Sequence, residues 1–86
     1  MNFITLIKWK QPPKKEVIEQ STTRLKELEE EGIKLHIYWT LGRYDAVTII
    51  EAPTENDALK TLLLWKDVID TETMVAIPRE EAIKLL

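Results

Sequence analysis

The stretch Ile33-Lys34-Leu35-His36-Ile37-Tyr38-Trp39-Thr40-Leu41-Gly42-Arg43-Tyr44-Asp45-Ala46-Val47-Thr48-Ile49-Ile50-Glu51 decides how this chain folds. It holds two runs rich in β-branched and aromatic residues, Ile33 to Leu41 and Asp45 to Glu51, separated by Gly42-Arg43-Tyr44. Such runs favour strands, and a short glycine-containing link between them makes an antiparallel hairpin. Gly42 supplies the positive φ that the turn needs. Asp45 is expected to accept backbone N–H groups of the turn or to pair with Arg43, fixing the hairpin. Tyr44 stands at the tip, where it is expected to pack against a neighbouring subunit.

Working outward, Lys14 to Glu31 reads as a helix. Val17, Ile18, Ser21, Leu25 and Leu28 recur at three- and four-residue steps, Pro12-Pro13 bars the strand before it, and Gly32 follows as a C-terminal stop. Asn2 to Trp9 is the opening strand. Beyond the hairpin, Thr54 is a helix N-cap with Asp57 three residues later. The helix spans Glu55 to Lys66, with Ala58, Leu59, Leu62 and Leu63 on one face. A last strand runs from Asp70 to Ile77, and Pro78 opens a tail helix, Arg79 to Leu86. The order β-α-β-β-α-β predicts one α+β domain over residues 1–86. It is a ferredoxin-like plait: a four-stranded antiparallel sheet with two helices on one face and a short C-terminal helix.

Composition narrows the function classes. A chain of 86 residues buries only roughly 60% of its unfolded surface, so it needs disulfides, metals or oligomerisation. There is no cysteine and a single histidine, His36, which excludes disulfides, thiolate sites and multi-histidine metal sites. No cofactor is implied. Oligomerisation is the device left, so a homodimer or higher homo-oligomer is the expected partner state. The net charge of −3, with both signs mixed, argues against nucleic-acid binding; Lys8, Lys10, Lys14 and Lys15 are the nearest approach to a basic run. No apolar stretch is long enough for a membrane span and no signal-peptide pattern opens the chain, so a cytoplasmic location is expected.

Alternation along the strands gives two sets. Ile4, Leu6, Leu35, Ile37, Trp39, Leu41, Val47, Ile49, Met74 and Ala76 are uniformly apolar and are expected to lie under the helices, with Trp39 in the core. Phe3, Thr5, Ile7, Trp9, His36, Tyr38, Thr40, Ala46, Thr48, Ile50, Thr71, Thr73, Val75 and Ile77 form a mixed set. A bare plait leaves one sheet face uncovered, and a large apolar patch marks an interaction site. Burying about 600 Å² of it per subunit would yield roughly 15 kcal/mol of gross hydrophobic gain, much of it offset by association costs. The mixed set is therefore expected to be an oligomer interface, with Ile7, Trp9, Ile50 and Val75 as candidates. The alternative is that the tail, through Ala82, Ile83 and Leu86, covers it. Leu62-Leu63-Leu64-Trp65 encircles the second helix, so Leu64 is a further interface candidate.

The hairpin stretch Tyr38 to Val47 resembles the signature of the GYD domain family, whose name-giving residues here are Gly42, Tyr44 and Asp45. Ile4 to Trp9, Glu51-Ala52-Pro53 and Thr71-Glu72-Thr73 resemble the family's opening strand, third-strand exit and last-strand start. The resemblance covers nearly the whole chain. It implies a ferredoxin-like fold of the dimeric α/β-barrel type, and it implies no particular reaction.

Thr5, His36, Tyr38, Thr48 and Thr73 are the ligand-pocket candidates, because they would share the open face between two subunits. Pockets are mostly apolar with a few polar groups, as that face would be. Three functions fit: a small-molecule-binding or sensing module, a cofactor-independent enzyme with His36 and Tyr38 as proton-transfer groups, and a protein-interaction subunit without ligand. No nucleophile motif or phosphate loop accompanies His36, which leans the reading away from an enzyme.

Overall fold

The computed structural model describes residues 1–86. Its elements are β1 (Asn2–Trp9), α1 (Lys15–Glu30), β2 (Lys34–Trp39), β3 (Ala46–Glu51), α2 (Glu55–Leu63), β4 (Ile69–Ala76) and α3 (Arg79–Ala82), with a 3-10 turn over Ile83–Leu85. The sheet order is β2-β3-β1-β4 with every neighbouring pair antiparallel, the arrangement expected of a ferredoxin-like plait. Element ends follow from local chemistry. Gly32 takes φ +86° after α1, where a side chain would be strained. The Thr54 hydroxyl oxygen accepts the Asp57 N–H at 3.2 Å and donates to the Asp57 carboxylate at 2.8 Å, which caps α2.

The helix layer closes at one end of the sheet only. Phe3, Leu28, Ile33, Ile50, Ala52 and Ala58 form the buried core where α1 ends and α2 begins. At the other end, Val17 and Ser21 of α1 are half-buried and Ile18 is exposed. The molecule is a slab with extents of 46 × 32 × 17 Å, as thin as one sheet and one helix layer. Its radius of gyration is 13.7 Å, above the about 12 Å of a compact domain this size. The outer strands β2 and β4 are exposed along almost their whole length. The tail leaves Ile83, Leu85 and Leu86 exposed and does not bury the sheet's open face.

The register corrects the expected faces. Thr40 N–H donates to the Asp45 carbonyl, so β2 and β3 are joined by four residues, Leu41 to Tyr44, not three. Leu35 then pairs with Ile50, which pairs with Phe3, which pairs with Val75. A slip of one residue turns a whole strand over. One face then carries Phe3, Thr5, Ile7 and Trp9 with Leu35, Ile37 and Trp39, Ala46, Thr48 and Ile50, and Thr71, Thr73 and Val75, and the packing of Phe3 and Ile50 with Leu28 of α1 and Ala58 of α2 makes it the helix-facing one. Ile4, Leu6, Val47, Ile49, Met74 and Ala76, expected in the core, face outward. Thr5 enters the core with its hydroxyl met locally: it is fully buried, and its oxygen lies 3.0 Å from that of Thr73. Leu41, expected in the core, is fully exposed on the loop, and Trp39 lies on the helix side but is 59% exposed.

Candidate functional site: the open sheet face

Reading across the strands, the open face is built in rows. Lys34, Glu51, Asn2 and Ala76 make one; His36, Ile49, Ile4 and Met74 the next; Tyr38, Val47, Leu6 and Glu72 the third. The centre is a continuous apolar strip. Ile4, Leu6 and Val47 are half-buried only by their neighbours, and Ile49, Met74 and Tyr38 are exposed. No helix crosses this strip, because both long helices are committed to the other side of the sheet.

Polar side chains flank the strip, and two pairs of them hydrogen-bond. His36 Nε2 lies 2.9 Å from Glu51 Oε2, so this nitrogen carries the proton toward the carboxylate. The hydrogen bond from His36 holds the Glu51 carboxyl below its ordinary value; the charges of His36 and Lys34 act in the same direction and desolvation opposes them. At the hairpin end, the Tyr44 hydroxyl donates to Glu72 Oε2 at 3.0 Å, and the Lys8 ammonium and Arg43 guanidinium lie 6.0 and 5.7 Å from its ring centre. Tyr44 thus reaches from the loop toward β4 within its own chain.

Asp45 does something other than pair with Arg43. Its carboxylate accepts the Trp9 N–H at 2.9 Å and its own N–H donates to the Ile7 carbonyl at 2.8 Å, so it ties the hairpin to the end of β1. Thr40 closes the loop by donating its hydroxyl to the Tyr44 carbonyl at 2.7 Å. Gly42 has φ +127°, with open space where a Cβ would stand. Its need for glycine is therefore conformational rather than steric.

The structure divides the sequence-based pocket candidates. His36 and Tyr38 lie on the open face, whereas Thr5, Thr48 and Thr73 lie on the helix side. Of the interface candidates, Ile7 and Ile50 are buried in the chain's own interior. Trp9 faces the helices and Val75 is exposed on that same side. Leu64, the residue after α2, is exposed at 43%. The correction has one cause, the face reversal already described. The face's principal residues, Ile4, Leu6, Val47, Ile49 and Met74, were missed as surface because their uniform apolarity reads as core. The signal that could have found them is the four-residue hairpin register.

His36, Glu51 and Tyr38 have the composition of a proton-transfer site. Tyr38 and Glu51 stand exposed on the sheet, and His36 borders a groove of about 250 Å³ between α1 and β2 that neither of them lines. No helix is long and apolar enough to cross a membrane. No curated protein and no solved structure matches the chain. The family model described as GYD domain matches residues 3–86, from the first strand through the Gly42–Asp45 hairpin to the last residue. The chain belongs to the GYD domain family.

Proposed function

We propose that this chain works as a homo-oligomeric binding module whose copies join through the open sheet face, with a small molecule as its ligand. The apolar strip of Ile4, Leu6, Val47, Ile49 and Met74 carries this reading. It lies uncovered on a slab 17 Å thick. A monomer would leave both that strip and two edge strands in water, which folded chains avoid. Two copies placed face to face bury the strips against each other, as in a sandwich of sheets about 10 Å apart. His36, Glu51, Tyr38 and Glu72 then form a polar rim, the usual anatomy of an interface. On this reading the open face serves assembly, since His36, Glu51 and Glu72 already hydrogen-bond within the chain and the strip between them is apolar.

The face used can be mapped directly. In a soluble paramagnetic agent, the methyl signals of Ile4, Ile49 and Met74 are expected to be protected at high protein concentration, while those of Leu41 and Leu86 are bleached. Uniform bleaching of Ile4, Ile49 and Met74 would contradict the proposed interface.

A further inference from the structure

Behind the sheet, where the helix layer gapes, lies a cleft of about 230 Å³. Its walls are mainly apolar, from Ile18 and Leu25 of α1, Ile37 of β2 and Leu62 beyond the core. Trp9 and Trp39 stand at one end, ring centres 4.9 Å apart and planes crossed at 70°. An edge-to-face pair of this kind offers a ring face and a ring edge to a flat guest. The lining contains no carboxylate and no histidine; its one charged residue is Lys14, exposed just before α1.

The cleft also holds one hydroxyl with no partner within the chain. Four hydroxyls line it, and three are engaged: Thr5 with Thr73, Ser21 donating to the Val17 carbonyl at 2.7 Å, and Thr61 donating to the Asp57 carbonyl at 2.9 Å. Thr48, only 3% exposed, makes no side-chain hydrogen bond within the chain. No partnerless polar side-chain atom is sealed off from open space, so the Thr48 hydroxyl opens onto the cleft it lines. A guest that displaces water from this hydroxyl must offer it an oxygen in return, because leaving it unpaired against an apolar ring would be costly.

We infer that this cleft binds an uncharged, flat ring compound carrying a single hydrogen-bonding oxygen, with Thr48 as its polar anchor. A cavity of about 150 Å³ already admits benzene, so this one takes one or two fused rings. It is too small for a peptide helix. A cation would find no carboxylate, and a buried anion would lose its hydration without a partner. The inference deepens the proposed binding function by placing the ligand behind the sheet, and it does not depend on how many copies assemble.

The full chain, ¹⁵N-labelled, is titrated with 2-naphthol and separately with naphthalene, while sedimentation gives the mass of the same samples. Saturable shifts of the Trp9, Trp39 and Trp65 indole N–H signals are expected with both probes. Thr48→Val, which keeps shape, should weaken 2-naphthol binding by about two- to tenfold and leave naphthalene unchanged. Ile37→Trp, which fills the mouth, should abolish both. Absence of indole shifts in an assembled protein overturns the cleft and leaves the assembly standing; indole shifts in a strictly monomeric protein do the reverse. Equal 2-naphthol affinity for wild type and Thr48→Val overturns the anchor.

Discussion

Asp45 joins strands that no turn connects. Its carboxylate on the Trp9 N–H and its N–H on the Ile7 carbonyl lock the hairpin onto β1. Asp45→Ala should therefore lower unfolding free energy by about 1.5–3 kcal/mol, the range for a hydrogen bond to a charged group, read as a lower urea midpoint. Asp45→Asn, which keeps an acceptor, should lose less. His36 and Glu51 give a second test at this scale. A carboxyl with a lowered folded-state pKa contributes stability that is complete above the ordinary value of 4.5 and is lost as pH falls through the lowered value. The β2–β3 pairing should accordingly weaken in acid, and His36→Ala should raise the Glu51 midpoint toward the ordinary value in a carbon-13 carboxyl titration. An unchanged midpoint would show that the hydrogen bond does not persist in solution. At this scale the sequence was partly legible. Gly42 at positive φ followed from residue type, whereas the partners of Asp45 and Tyr44 lie 36 and 28 positions away along the chain, beyond any local pattern.

Elements were the most legible level, because their causes are local. Proline, glycine and threonine at the ends of α1 and α2 act within one turn of themselves, and the helices and strands fall within a few residues of their expected bounds. Thr54→Ala should cost about 1 kcal/mol by removing the α2 cap, measured by thermal or chemical unfolding followed at 222 nm. What local pattern did not give was register. Pairing Thr40 with Asp45 rather than Leu41 with Asp45 turns β2 over, and only then do Leu35, Ile50 and Phe3 share a face. The apolar outward strip compounded the error. Hydropathy cannot distinguish a residue buried by its own helices from one buried by another molecule, because both are removed from water. Thr5, Thr48 and Thr61 show the converse: they lie within the core because each occupies the helix side of the fold, whatever its polarity.

The whole molecule is one layer short. Its helices cover one side of the sheet and close over only half of that side, leaving an apolar strip in front and a cleft behind. The self-association proposed through the strip would account for the thin slab and the shortage of core in a chain without cysteines. The cleft would be a separate place for the proposed ligand, so that assembly and binding would not compete for the same surface. Sedimentation of the wild-type chain beside Ile49→Lys, whose charge would sit in the centre of the strip, tests this most directly. A mass at least twice the 10.1 kDa of one chain at micromolar concentration, falling to that of one chain in Ile49→Lys with the circular-dichroism spectrum retained, is the predicted result. A wild-type protein that sediments as a single chain, or an Ile49→Lys protein that assembles as the wild type does, would contradict it.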